Sequence, residues 1–143
     1  MVGFLIKGIS SITITVLLLS SISCQHESIA TEKATADKKA VGHWRLVSIT
    51  SGWTGKTDSP TEKIEMHINE QQQVTVLKND TEVASYQYIL EKIGSGMLRY
   101  TITQQRGSFP FYLPKEGSFN LSGKRLILDS TPVDGPACTF ERN

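Results

Sequence analysis

Cysteine is scarce in this chain, and neither sign of charge is in surplus. Only two cysteines, Cys24 and Cys138, occur in 143 residues. That excludes a disulfide-stapled mini-domain and leaves at most one internal bridge. Lysine and arginine number 15, against 14 aspartates and glutamates. Such a balance gives no field to draw in nucleic acid, and Lys38-Lys39 and Lys124-Arg125 are isolated pairs, not a basic stripe. No Gly-x-Ser-x-Gly elbow, phosphate loop or dinucleotide fingerprint is present. The histidines, His26, His43 and His67, have no Cys, His or carboxylate at metal-ligand spacing. The residues therefore predict no enzyme, no cofactor, no metal and no nucleic-acid partner.

What is present begins with a three-part N-terminus. Lys7 and the α-amino group make a weakly positive start. Residues 8–22 are uncharged and carry Ile9, Ile12, Ile14, Val16, Leu17, Leu18, Leu19 and Ile22. Ser20, Ser21 and Ser23 then place small residues before Cys24. A positive start, an apolar middle and a small-residue cut site compose a secretory signal. The uncharged run also approaches the lower limit for a membrane span, so a retained anchor is the alternative. Its serines and threonines, and the lack of a basic stop-transfer cluster after it, count against that alternative.

The stretch LSSISC, ending at Cys24, resembles a bacterial lipobox. The resemblance implies cleavage before Cys24, a diacylglycerol on its thiol, and export to the bacterial cell envelope with a membrane as partner. At about 0.8 kcal/mol per buried methylene, two or more acyl chains hold a protein stably. A plain Cys24–Cys138 disulfide is the competing reading. Cleavage would remove only Lys7 from the charge count, leaving 14 basic against 14 acidic side chains.

Residues 25–40 read QHESIATEKATADKKA, with Ile29 as the one branched aliphatic and no aromatic. Such a segment cannot bury enough apolar surface to offset its ordering entropy. It predicts a flexible tether spanning on the order of 20–25 Å. The expected organisation is a signal over 1–23, lipidated Cys24 and tether over 24–40, and one domain over 41–143. About one hundred residues suffice for one core and not for two.

From Val41 onward the hydrophobic period is two. Ile64, Met66 and Ile68 alternate with Glu65 and His67, and Tyr86, Tyr88 and Leu90 with Gln87 and Ile89. Leu98, Tyr100 and Ile102 repeat the pattern, as do Phe119 and Leu121, then Leu126 and Leu128. Turn signals at Asn79-Asp80, Gly94-Ser95-Gly96, Gly123-Lys124 and Asp134-Gly135-Pro136 divide the runs. About eight strands follow, near 43–50, 63–70, 73–78, 83–91, 97–104, 117–122, 124–130 and 137–142. The fold class is all-β. Short turns favour an antiparallel up-and-down β-barrel, closed so that no edge is left exposed.

Gly42-His43-Trp44 at one end and Phe140-Glu141-Arg142 at the other resemble the opening and closing strands of lipocalins. The stretches VGHWRLVSI and DGPACTFERN are similar to the lipocalin-like domains of bacterial envelope lipoproteins. The resemblance implies that Arg142 lies across Trp44 and closes one end of the barrel. It also implies that the loop after the first strand, with Trp53, folds over the open mouth. Residues 104–117 carry Phe109, Phe111 and Tyr112, which read either as an apolar lip for a ligand or partner, or as aromatics capping the core. Trp53, Phe109, Phe111 and Tyr112, with the inward tyrosines Tyr86, Tyr88 and Tyr100, form the expected ligand site. The parity of an up-and-down barrel puts Trp53 and the 109–112 segment at the same end. Two functions fit, and the fold resemblance favours the first: holding a small apolar ligand, with presenting a filled barrel to another envelope protein as the alternative. Cys138 alternates with Phe140 and reads as a buried, inert thiol.

Overall fold

The computed structural model describes residues 32–143 except Ser95. The signal and Cys24 lie outside the described residues. A helix, α1 (Lys33–Ala40), precedes nine strands: β1 (Gly42–Ser51), β2 (Thr57–Asp58), β3 (Ile64–Ile68), β4 (Gln73–Lys78), β5 (Thr81–Ile93), β6 (Met97–Gly107), β7 (Glu116–Ser122), β8 (Arg125–Asp129) and β9 (Pro136–Arg142). All pairings are antiparallel, and eight strands close into an up-and-down barrel. β1 makes the seam: residues 42–45 pair with β3 on one side, and residues 44–51 pair with β9 on the other. The two-residue β2 adds to β1 at Ile49 and Thr50, outside the cylinder.

Alternation builds the core. Trp44, Leu46, Met66, Val74, Val76, Tyr86, Tyr88, Leu90, Leu98, Tyr100, Phe119, Leu121, Leu126, Leu128, Cys138 and Phe140 all point inward and are buried. Between Leu46 and Ser48 the β1–β9 ladder shifts by a bulge. The extra residue reverses the inward phase, so Ile49 packs on the core where strict alternation from Leu46 would turn it out. Asn79 and Asp80, both at positive φ (49° and 66°), form the two-residue turn between β4 and β5. Two consecutive positive φ values match the right-handed twist of the flanking strands.

One expectation is corrected. Residues 33–40 are not a flexible tether; they form α1, and Ala36 and Ala40 are fully buried in the core. The helix packs on β5 and β7, and Lys92 ties its start to Glu32 at 2.5 Å. The buried face is made of alanines four residues apart. Alanine is the best helix former and its methyl fits close against strands, but it leaves no hydrophobic stripe to read. The folded body therefore includes residues 33–40 together with the barrel.

Candidate functional site

The barrel has two unlike ends. At the end where β1 starts, Trp44 is fully buried and donates its indole N–H to the Ala40 carbonyl at 2.7 Å. The Arg142 guanidinium lies over the indole, 4.3 Å from the ring centroid. It also donates to the Val41 carbonyl at 2.8 Å and to the Lys39 carbonyl. Gly42 has φ +137°, and a Cβ there would come 2.5 Å from Arg142 Nη1. The expected Gly42–Trp44–Arg142 cluster is thus assembled, with α1 as a cover over it.

The opposite end gathers the loops after β1, β4, β6 and β8. Trp53 and the 109–112 segment share this end, as strand parity requires. Their roles differ. Phe109 packs edge-on against Tyr86, with centroids 5.3 Å apart, and Phe111 packs on Phe140 at 6.1 Å. The two rings cap the core, which decides between the two readings of this segment. Leu113 is buried beside them. Trp53 is 80% exposed at the tip of the β1–β2 hairpin, and Tyr112 is 71% exposed. Trp53 and Tyr112 therefore do not line the interior.

Inside, the expected tyrosines meet one another and the plug. The Tyr86 hydroxyl donates to Met66 Sδ at 3.3 Å, Tyr88 stacks on Phe119 at 5.9 Å, and the Tyr100 hydroxyl donates to the Pro114 carbonyl at 3.2 Å. Burial pushes Tyr86 and Tyr88 far above the usual phenol range and Tyr100 up to about 12. All three are neutral hydroxyls at any physiological pH. The space left between Met66, Tyr86, Tyr88, Tyr100, Phe119 and Leu126 is a cavity of about 10 Å³. That is about the least that admits one water. Cys138 is fully buried and unpaired among the described residues, with its thiol pushed up to about 12 by burial.

One juxtaposition has no counterpart in the residue pattern. His43 on β1 and His67 on β3 are direct cross-strand partners on the outer wall, with ring centroids 3.9 Å apart. Burial and the nearby His43 lower the His67 pKa. The loop between the two strands is too long to fix their register, so nothing in the spacing pairs the two residues. Among the described residues, no group of three or more His, Cys, Asp or Glu is placed to hold a metal ion, and no helix is long and apolar enough to cross a membrane. Compared with known proteins, the chain matches no family model, no curated protein and no solved structure.

Proposed function

We propose that this chain is an exported, lipid-anchored envelope protein with a lipocalin-like barrel that works as a rigid, non-catalytic platform for a protein partner. The filled interior carries this reading: a cavity of about 10 Å³ is far below the few hundred cubic ångströms of an ordinary ligand pocket. The surface agrees with it. Of five exposed large hydrophobic side chains among the described residues, three lie on loops at one end of the barrel: Trp53, Tyr112 and Val133, exposed by 80%, 71% and 75%. Aromatic side chains held out on a rigid scaffold suit a protein interface. The lipid anchor rests on the apolar N-terminal run and the small residues before Cys24. Eight residue steps separate Cys24 from Glu32, a reach of at most about 28 Å. Glu32 is at the α1 end, so an anchor at Cys24 turns the Trp53 end away from the bilayer.

A photoreactive residue placed at 53 or 112 in cells should yield a discrete protein adduct, and one at Met97, exposed at the other end, should not. Equal labelling from all three positions defeats the platform reading. Mass spectrometry of the membrane fraction tests the anchor, which requires an acylated Cys24 as the first residue.

A small apolar ligand in the barrel is the second reading, favoured by the wholly apolar and aromatic lining of the interior. It requires Phe109 and Phe111 to withdraw from the mouth. Native mass spectrometry of the purified chain with a fatty acid separates the two: a retained fatty acid supports the ligand reading, and the bare mass supports the platform.

A further inference from the structure

We propose that His43 and His67 form a two-imidazole site for a divalent transition-metal ion, Cu²⁺ before Zn²⁺, on the outer wall of the barrel at the β1–β3 seam. The geometry begins with the ladder. His43 and His67 are paired directly, as are Trp44 with Met66 and Arg45 with Glu65. The inward residues Trp44 and Met66 are fully buried and hold both backbones fixed. Directly opposed residues have Cβ atoms about 5 Å apart, so both imidazoles stand over the same point of the wall.

Their ring centroids are 3.9 Å apart and the planes are inclined by 39°. Two nitrogen ligands at about 2.1 Å from one metal lie roughly 3–3.4 Å apart at right-angled or tetrahedral geometry. Chelation therefore requires the two rings to turn out of their present face contact until one nitrogen of each is aimed at a common point, a side-chain rotation on the open outer wall. No ring nitrogen of either histidine is engaged in a hydrogen bond with a described residue, so no bond within the protein has to break first.

Surrounding groups set the class of ion. On β3 the neighbouring outward side chain is Glu65, whose carboxylate is engaged by Lys63 at 3.2 Å and by the Asn143 amide at 2.6 Å. On β4 the residue opposite His67 is Thr75, a neutral neighbour. The pair borders an open depression of about 460 Å³ with Asn69 and Glu70 on its rim. The protein thus supplies two neutral nitrogen ligands and leaves the remaining positions to water or to a group from a second molecule. Imidazole favours Cu²⁺ and Zn²⁺, and the order of divalent affinities puts Cu²⁺ first; Ca²⁺ and Mg²⁺ require oxygen ligands.

The test is a titration of the full-length chain with Cu²⁺ and, separately, Zn²⁺. One ion per chain is expected at this site, with electron paramagnetic resonance of the copper form showing nitrogen ligands. His43→Asn and His67→Asn should each weaken that binding by about 100-fold, because a lone imidazole loses the effective concentration of its partner. His26→Asn should leave it unchanged. Both substituted side chains face outward, and thermal unfolding checks that the variants fold. In the unmodified chain, Zn²⁺ should shift the imidazole proton resonances of His43 and His67 together. No saturable binding, or binding that survives both substitutions, or a zinc shift confined to His26, overturns the proposal.

Discussion

The Arg142 guanidinium covers the indole of Trp44 at 4.3 Å, and the same side chain bonds the Lys39 and Val41 carbonyls. One residue of the last strand thereby closes the barrel, covers its first aromatic and fixes the end of α1. Trp44→Ala should cost about 3–5 kcal/mol, as for other buried large aromatics. Arg142→Ala should lose the cation–π contact, about 0.5–2 kcal/mol, together with its two carbonyl bonds. Arg142→Lys should recover only part of that, since an ammonium lacks the planar fork. Urea unfolding monitored by circular dichroism checks the order Trp44→Ala, Arg142→Ala, Arg142→Lys, from the most to the least destabilised.

Gly42 is needed because of that arginine. A methyl group at this position would meet Arg142 Nη1 at 2.5 Å, and φ +137° is strained for any L side chain. Gly42→Ala should therefore destabilise by about 1–3 kcal/mol and dislodge Arg142. The combination of Gly42→Ala with Arg142→Ala should cost less than the two separately. Additivity in the double-mutant cycle would mean that the backbone, not the arginine, sets the requirement.

Helix α1 offers a prediction about proteolysis. Ala36 and Ala40 have no room for larger side chains, since both are fully buried. Ala36→Leu should cost about 1–3 kcal/mol through overpacking. Trypsin should then cut after Lys38 or Lys39 well before the barrel unfolds. Unchanged protection of these sites would mean that α1 does not depend on its alanine face.

Cys138 should stay unreactive. Burial pushes its thiol up from the ordinary 9.0 to about 12, so the folded state keeps a proton that the unfolded chain releases. The stability this contributes is complete below pH 9 and declines as pH rises from 9 toward 12. Tyr100, raised from 10.0 to about 12, acts in the same direction. Native protein at about pH 8 should resist thiol reagents until it unfolds. Cys138→Ala should soften the alkaline loss of stability, and rapid labelling of the native thiol would contradict its burial.

The strands were legible because each needed only one repeating contrast, an apolar side chain in and a polar one out. All eight barrel strands occur close to the spans that alternation predicts, the Asn79-Asp80 turn is where its residues place it, and Arg142 lies across Trp44 as the lipocalin resemblance implies. Features that depend on three-dimensional registry were not legible. α1 buries alanines, which carry no hydrophobic contrast, and β2 is two exposed residues held only by its ladder to β1. Phe109 and Phe111 suited a lip and a plug equally until their contacts with Tyr86 and Phe140 were known. His43 and His67 meet only because the β1–β3 register brings them opposite each other.

The bonds from Arg142 to α1 also determine how the barrel carries load. A pull arriving through residue 32 reaches the helix first, then the carbonyls gripped by the last strand, then β1. β1 is laddered on both sides, to β3 and to β9. Tension along its axis therefore acts on two rows of perpendicular hydrogen bonds at once, in shear, and does not unzip them singly. The end of the barrel that carries residue 32 is thus loaded in shear. A tug on residue 32 is resisted by the whole seam before any loop at the Trp53 end is disturbed.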